Sequence, residues 1–419
     1  MIDVNSVYSG EKTMYNTPKE FILDNWDKVI RENKEDNDTL IGLPYPYTVP
    51  CIGGMFQEMY YWDTYFTNVG LILSGRINQA KNNVDNMCYL ISRYGFMPNG
   101  NRTGYLSRSQ PPFLSIMVME IYDETKDKEW LAEKYETLKT EYAFWQNNRK
   151  TENGLARYFG KTDDHEYRLK FGRYLYSRFG MDAPTDEATL CEASDCMYSF
   201  AESGWDCTTR FGLRGQYFNA IDLNCLLYSL ESNLSKISEI LGGDSTEYKA
   251  AAENRKALID KYLWSDEKGT YFDYDFQRKE QNNIHSTAAF YALLCELTTQ
   301  EKAEKIKATL PKLEQLYGLT CTEKLRDSYE LQWDYPNGWA CQQFVAIKGL
   351  LNYGFTDDAK RIAEKYVAVV DKNFATTENL WEKYNVVTGE ISTAKEYKSP
   401  EMMGWSAGVY LYCLKLLEK

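Results

Sequence analysis

The sequence has little histidine and no paired cysteine motif, which excludes the common kinds of metal and haem site. His165 and His285 are the only histidines in 419 residues, and the ten cysteines are scattered without a C-x-x-C spacing. Imidazole and closely spaced thiolates are the usual zinc ligands. We therefore expect no metal and no cofactor, and we interpret the cysteines as reduced thiols of a cytoplasmic protein.

Long apolar runs and blocks of basic residues are also missing. No stretch of about 18 apolar residues occurs, and the N-terminal segment lacks the apolar centre of a signal peptide. The net charge is −13, from 48 Lys and Arg against 61 Asp and Glu. Because nucleic acids and anionic membranes attract basic surfaces, we expect neither as a partner. The sequence leaves the oligomeric state open.

Aromatic residues, by contrast, are abundant: 34 Tyr, 18 Phe and 10 Trp make up 15% of the chain. Flat amphipathic rings suit the apolar faces of sugars, although a tyrosine-rich core would also use them. Trp26 precedes Asp27 inside an amphipathic pattern, and we assign that pair to structure. Four further Trp residues precede an acid at predicted loop–helix junctions, where indole and carboxylate can grip a pyranose together. These acids are Asp63, Asp206, Asp334 and Glu382.

Residues 200–212, FAESGWDCTTRFG, carry the strongest local indication of catalysis. Gly204 and the polar residues argue against a helix interior or a core strand, so we predict a loop that holds Asp206 against the indole of Trp205. Desolvation raises the pKa of a carboxyl group towards neutrality, as a general acid requires. The alternative is that the carboxylate only caps a helix through the threonines that follow it.

A second polar cluster occupies residues 98–113, PNGNRTGYLSRSQPPF. Its Arg102, Arg108 and Gln110 offer more hydrogen-bonding groups than a surface turn needs. The adjacent prolines end the loop and begin a helix. We interpret the cluster as functional, with a plain surface turn as the alternative.

Helical periodicity covers most of the chain and falls into pairs of helices. A first helix begins at Pro18, and hairpins then break at Gly75, at Gly242 and at Gly354. Other helical stretches lie at roughly 111–123, 127–148, 285–297, 300–310 and 402–418. Long loops are expected at residues 183–190 and 311–335, and no alternating strand is evident.

This pattern predicts an all-α fold in a single domain over residues 1–419, with residues 1–17 as an N-terminal arm. Paired helices can close into a toroid or stack into an open solenoid. Long aromatic loops favour the closed form, because loops can then converge over a central pocket.

Five motifs in order resemble one known family. The two longest are GGMFQEMYYWDTYF (53–66) and LQWDYPNGWACQQ (331–343), and the shorter ones are PNGNRTGYLSRSQPP, ESGWDCTTR and EKY (382–384). They are similar to the signatures of the trehalases, inverting glycoside hydrolases that cleave α,α-trehalose. The resemblance spans roughly residues 45–418 and implies a single (α/α)6 barrel with long loops over a central pocket.

The resemblance also implies roles for individual residues. Asp206 matches the general acid of the family's Gly-Trp-Asp motif, and Glu382 matches the general base of its Glu-Lys-Tyr motif. It implies neither a metal nor a cofactor. The matching substrate-binding positions are Phe56, Trp62, Asp63, Asn99, Arg108, Gln110, Gly204, Trp333 and Glu396.

The chain departs from the family at positions that contact the sugar. Met55 stands where the first signature has Arg, and the Arg-Pro-Glu-Ser stretch before the acid motif is not found. Residues 168–190 hold Arg173, Arg178 and Glu187 in another arrangement. We therefore expect an inverting exo-glycosidase that releases glucose from a small α-glucoside, with trehalose as the leading candidate. The alternatives are another α-glucoside, such as glucosylglycerate, and a non-catalytic sugar-binding homologue.

Overall fold

Helices form the framework of the part of the chain that the structure, a computed structural model, describes: residues 15–325, 331–393 and 397–418. In these ranges the α-helices are α1 (Pro18–Asn25), α2 (Tyr61–Leu73), α3 (Ile77–Tyr94), α4 (Leu114–Thr125), α5 (Lys128–Asn148), α6 (His165–Arg178), α7 (Glu187–Ser203), α8 (Ile221–Ile240), α9 (Thr246–Tyr262), α10 (Tyr291–Leu294), α11 (Gln300–Lys307), α12 (Ala340–Asn352), α13 (Thr356–Thr377) and α14 (Gly404–Leu417). Short 3₁₀ turns lie at Trp26–Val29, Thr103–Tyr105, Gly215–Tyr217, Thr287–Phe290 and Leu310–Lys312.

Helices buried on nearly every side alternate with helices buried along one stripe. In α2 every residue from Tyr61 to Leu71 is buried, and α12 is buried over most of its length. In α3, α9 and α13, which follow α2, α8 and α12, the buried positions recur every three or four residues. An inner helix needs apolar residues all round, whereas an outer helix needs only one apolar face. The result is the predicted all-α fold, an (α/α)6 barrel.

Close backbone packing joins the inner helices at the two ends of the chain. A Cβ atom at Gly408 of α14 would lie 1.9 Å from the backbone oxygen of Phe66 in α2, and one at Gly70 would lie 2.7 Å from the Cα of Gly408. The glycines therefore allow α2 and α14 to meet backbone to backbone, which closes the ring of inner helices.

Short antiparallel strands connect the helices, and each strand has two or three residues. Strands of this length are too short to show an alternating pattern, so the sequence did not reveal them. The paired strands are β1 (Ile30–Arg31) with β2 (Tyr47–Thr48), β3 (Phe218–Asn219) with β6 (Tyr274–Asp275) and β6 with β7 (Glu280–Gln281), β4 (Trp264–Ser265) with β5 (Thr270–Tyr271), β8 (Glu314–Gln315) with β9 (Gly318–Leu319), and β10 (Asn337–Trp339) with β11 (Lys383–Asn385) and β11 with β12 (Glu390–Ile391).

Two local predictions differ from the structure. The first helix is shorter than its apolar pattern indicates, because Ile30 and Arg31 leave it to pair with Tyr47 and Thr48. The expected loop at residues 183–190 contains the start of α7, and α6 precedes it. Both helices begin with an aspartate N-cap, which is a sequence signal for the start of a helix. The stretch has few aliphatic residues, so its periodicity alone did not indicate the helices. Within the described ranges, none of the helices combines the length and the hydrophobicity needed to cross a membrane.

Candidate active site

A cavity of about 260 Å³ brings together the site residues that the sequence predicts. Its walls come from the N-terminal ends of α2 and α14, the C-terminal end of α7 and the loops around them. The predicted residues that line it are Phe56, Trp62, Asp63, Asn99, Arg108, Gln110, Gly204, Asp206, Trp333 and Glu382. Glu396 lies outside the described residues.

The loop that carries Asp206 begins where α7 ends at a left-handed glycine. Gly204 has a φ of 74°, and a Cβ atom there would lie 2.6 Å from the indole of Trp62. A larger residue would therefore be strained and would collide with the cavity wall. This turn sends the chain away from the helix and places Asp206 in the cavity.

Asp334 holds this loop from the other side. Its carboxylate accepts hydrogen bonds from the Thr208 hydroxyl, at 2.6 Å, and from the backbone N–H of Thr209, at 3.0 Å. Because Asp334 occupies these threonine donors, the capping alternative for Asp206 is not observed. The Trp-Asp pair in the second signature motif therefore supports the loop of the first candidate carboxyl group.

Stacked indoles form part of the cavity wall. Trp205 does not line the cavity; it is buried and lies 5.4 Å from Trp333, at an angle of 26°. Trp333 stacks on Trp339 at 3.8 Å, and both of these rings do line the cavity. Trp205 thus packs against the indoles that line the cavity.

Burial and the surrounding charges tune the carboxyl groups in the cavity. Desolvation raises the pKa of Asp206, the Arg178 and Arg108 guanidiniums oppose this rise, and the negative charge of Glu382 adds to it. Burial, together with the charges of Glu382 and Asp206, raises the pKa of Asp63 to about 8. At neutral pH, Asp63 therefore holds a proton that it can donate to a ligand oxygen.

Glu382 has very different neighbours from Asp206. The buried Lys383 ammonium donates to its Oε2 at 2.5 Å, and the Tyr397 hydroxyl donates to its Oε1 at 2.9 Å. The Trp405 indole N–H donates to its backbone oxygen at 3.3 Å. A cation on one oxygen and a hydroxyl donor on the other fix the orientation of the carboxylate.

The polar loop at residues 98–113 is divided between two environments. Arg108 and Gln110 line the cavity, and Gln110 also accepts a hydrogen bond from the Trp62 backbone at 3.2 Å. Arg102 does not line it, because its guanidinium forms an ion pair with Glu58. The Asn99 amide donates to the backbone oxygen of Ala201 at 3.1 Å, which joins this loop to α7.

Glu202, which the sequence reasoning did not single out, anchors the same two segments. Its buried carboxylate accepts hydrogen bonds from the Arg149 guanidinium, at 2.7 and 2.8 Å, and from the Ser109 N–H, at 2.8 Å. It also accepts from the Phe159 N–H at 2.7 Å. A charged group that is this buried needs hydrogen-bonding partners. The position of this glutamate within the ESGWD motif was therefore a sequence signal for a structural role beside Asp206.

Helix α6 adds cavity residues that the sequence reasoning missed. Phe171, Tyr174 and Arg178 all line the cavity, whereas Met55 is 49% exposed and does not line it. An arginine thus reaches the cavity from a helix that had no predicted role. The other lining residues outside the predicted set are Tyr60, Tyr105, Met197, Ala201, Trp339, Tyr397, Met402 and Trp405.

Comparisons with known proteins identify the family. A family model described as Trehalase matches residues 7–418. The chain belongs to the trehalase family. The family is one of O-glycoside hydrolases, so this trehalase-family protein is an enzyme of that class. Its fold and its family, which the sequence predicted, are confirmed.

Individual relatives cover nearly the whole chain. The periplasmic trehalase of Xanthomonas axonopodis pv. citri (strain 306) is 37% identical over 419 residues, which cover 93% of this chain and 72% of the relative. That of Escherichia coli O1:K1 / APEC is 34% identical, with 99% of this chain and 78% of the relative covered. The structure of neutral trehalase Nth1 from Saccharomyces cerevisiae matches with a TM-score of 0.77 and 29% identity, and covers 98% of this chain and 81% of the yeast chain.

These relatives correct the expected location. The prediction of a cytoplasmic protein is wrong, because the bacterial relatives are named periplasmic trehalases. The prediction rested largely on the unpaired cysteines. All ten are free thiols, and all except Cys191 and Cys295 are buried. Buried cysteines pack as small apolar residues and are shielded from oxidants, so they do not report the redox state of a compartment.

Metal-ligating side chains are not grouped in the part of the chain that the structure covers. In residues 15–325, 331–393 and 397–418, no cluster of three His, Cys, Asp or Glu side chains is placed to hold an ion.

Proposed function

We propose that this trehalase-family protein hydrolyses α,α-trehalose to glucose with inversion, with Asp206 as the general acid and Glu382 as the general base. The observation that carries the proposal is the contrast between these two carboxyl groups in one cavity. Burial raises the pKa of Asp206, whereas the carboxylate of Glu382 accepts hydrogen bonds from the Lys383 ammonium and the Tyr397 hydroxyl. A buried carboxyl group with a raised pKa suits a general acid, and a carboxylate oriented by a cation and a hydroxyl donor suits a general base.

The reaction would begin with the glucosyl ring against the aromatic wall of the cavity and its hydroxyls on polar side chains. Trp62 and Trp333 line the cavity, where Arg108, Gln110 and protonated Asp63 offer hydrogen-bond donors. Arginine and a neutral carboxyl group can both donate to sugar oxygens, so the ring is held by donors as well as by aromatic contacts.

Bond cleavage would then use both carboxyl groups together. Asp206 gives its proton to the glycosidic oxygen, which leaves as a hydroxyl of the departing sugar. Glu382 takes a proton from a water molecule as that water attacks the anomeric carbon from the opposite face. An inverting pair needs a separation of about 6.5–9.5 Å to admit this water. The products are one β-glucose, from the attacked ring, and one α-glucose, from the leaving ring.

The two roles can be separated with a substrate whose leaving group needs no proton. Fluoride departs from α-glucosyl fluoride unaided, so Asp206→Asn should retain far more activity on the fluoride than on trehalose. Glu382→Gln should lose activity on both substrates, by about 10²–10⁴-fold. Equal losses in Asp206→Asn on both substrates would reject the acid role, and an active Glu382→Gln would reject the base role.

A second candidate substrate is an α-glucoside with a smaller leaving group, such as glucosylglycerate. The observation that favours it is the position of Met55, which leaves no cation at the point where the family's first signature supplies one. Initial rates of glucose release on trehalose, glucosylglycerate and maltose decide between the candidates. A kcat/KM for glucosylglycerate above that for trehalose would replace trehalose in this proposal.

We propose further that residues 1–419 act as one catalytic domain on a small sugar and do not bind nucleic acid. The net charge of −13 supports the second point, since phosphate backbones repel an acidic surface. In a mobility-shift assay we expect no binding to DNA or RNA at low or high salt. Binding at low salt that weakens as salt is added would contradict the proposal.

A further inference from the structure

Helix α6 faces the cavity with three side chains that the proposed mechanism does not use. Phe171, Tyr174 and Arg178 follow one another at spacings of three and four residues, which places them on one face of the helix. Asp206 and Glu382 line the same cavity. A ligand that fills the cavity therefore contacts this face of α6.

The position of α6 is fixed by close packing on α7. A Cβ atom at Gly172 would lie 2.0 Å from the backbone oxygen of Leu190, so the two helices meet there without intervening side chains. Next to this contact, the ring of Phe171 packs edge-on against buried Tyr198 at 5.0 Å. Because α7 leads directly to the loop of Asp206, the α6 face is held in a defined relation to that carboxyl group.

The three side chains form a surface suited to a pyranose ring. Tyr174 and Phe171 lie nearly parallel, at 9° and 6.3 Å, and Tyr174 is 44% exposed. The Arg178 guanidinium donates to the Tyr174 hydroxyl at 2.5 Å and lies 5.4 Å from its ring. Aromatic faces stack on the C–H faces of sugars, while guanidinium and phenol groups bind the equatorial hydroxyls at the rim.

Helix packing places the α6 face on the side of the general acid, because α7, on which α6 packs, ends at Ser203, three residues before Asp206. The charges of Arg178 and Arg108 both oppose the burial-raised pKa of Asp206. Glu382, in contrast, is held by Lys383 and Tyr397. A general acid contacts the oxygen of the departing group, so side chains that surround the acid face the departing group.

From this arrangement we propose that Phe171, Tyr174 and Arg178 bind the leaving-group sugar and determine specificity for it. The assignment rests on the proposed roles of Asp206 and Glu382, since those roles define which ring departs. Arg178 and the Tyr174 hydroxyl bind the hydroxyls of the departing ring, and Tyr174 and Phe171 contact its apolar face. The occupant is a glucopyranose or another pyranose with equatorial hydroxyls.

The same helix provides matched controls for a test. Tyr167 is 45% exposed, as Tyr174 is, but does not line the cavity. Arg173 is exposed and also lies outside the lining. Tyr174→Ala is therefore compared with Tyr167→Ala, and Arg178→Gln with Arg173→Gln, after thermal unfolding has confirmed that all four variants fold.

Each variant is assayed on trehalose, which has a leaving-group sugar, and on α-glucosyl fluoride, which has none. We expect Tyr174→Ala and Arg178→Gln to lose about 10- to 100-fold in kcat/KM on trehalose, because one hydrogen-bonded or stacked contact is worth that factor. Both should change less than about threefold on the fluoride, and the controls should match wild type on both substrates. Arg178→Gln should also move the alkaline limb of the trehalose profile to higher pH, because removing the cation raises the pKa of Asp206.

Several results would overturn the assignment. Equal losses on trehalose and the fluoride would place α6 against the other ring, and equal losses in the control variants would show a general effect on the helix. If wild type hydrolyses neither substrate, the proposed function fails, and trehalose binding measured by tryptophan fluorescence then decides the α6 proposal. An unchanged affinity for trehalose in Tyr174→Ala and Arg178→Gln would overturn it, whereas a tenfold weaker affinity would support it.

Discussion

Lys383 lies with its ammonium 2.5 Å from the carboxylate of Glu382, and both side chains are withdrawn from solvent. The ammonium also lies 4.8 Å from the ring of Trp339 and 4.3 Å from that of Tyr397. Strand pairing sets Lys383 opposite Trp339 in β10 and β11, so the second signature motif and the Glu-Lys-Tyr motif meet at the candidate base.

Replacing Lys383 with methionine should impair the base without removing it. Loss of the ammonium leaves Oε2 of Glu382 without its donor, so the carboxylate is no longer held in place. We expect kcat/KM on trehalose to fall by about tenfold or more, because misplacement of a reacting group has an effect of this size. Lys383→Arg keeps a donor and should restore part of the activity. An unchanged kcat/KM in Lys383→Met would contradict the assigned contact.

Asp334 should matter for activity although it does not line the cavity. Its carboxylate holds Thr208 and Thr209 in the loop that follows Asp206, so Asp334→Ala should misplace the acid. We expect kcat on trehalose to fall by about 10²-fold, the size of effect that a small misplacement of a reacting group produces. Asp27, another acid that follows a tryptophan, pairs with Arg76 at the surface and provides a matched control. A loss in Asp27→Ala equal to that in Asp334→Ala would contradict this interpretation.

Asp63 should destabilise the fold as pH rises. Its pKa is about 8 in the folded chain and near its ordinary value of 3.8 in the unfolded chain. Between these values the folded chain binds the extra proton, so the free energy of unfolding falls with rising pH. Asp63→Asn removes this loss. Its free energy of unfolding should therefore exceed that of wild type by roughly 2–4 kcal/mol at pH 8, and by little at pH 4.

Urea unfolding of wild type and Asp63→Asn at pH 4, 6 and 8 measures this gain. Asp123→Asn is the control, because Asp123 is an exposed acid paired with Lys126. The difference between Asp63→Asn and wild type should grow with pH, whereas that for Asp123→Asn should stay nearly constant. A pH-independent difference at Asp63 would contradict its raised pKa.

Signature motifs predicted the cavity well because they place several contact residues within a few positions of each other. Residues 53–66 alone supplied Phe56, Trp62 and Asp63, and all three line the cavity. The contribution of α6 was missed because its apolar face is aromatic and its cavity side ends in an arginine. Periodicity searches weigh aliphatic residues most, although Phe171, Tyr174 and Arg178 follow a helical spacing.

Supporting contacts were harder to predict from the sequence, since they join distant segments. Glu202 joins α7 to the loop of Ser109, and Asp334 joins the second signature motif to Thr208. The burial that raises the pKa of Asp206 also depends on residues far apart in the chain. Such contacts follow from the closed barrel, which brings loops from many helix pairs together.

The anomeric form of the newly released glucose tests the central claim most directly. Trehalose is hydrolysed in deuterated buffer, and the anomeric proton signals are recorded before the products equilibrate. Inversion by Asp206 and Glu382 predicts α- and β-glucose in equal initial amounts. Initial release of α-glucose alone would show retention and contradict the assigned acid–base pair, and absence of glucose would contradict trehalose as the substrate.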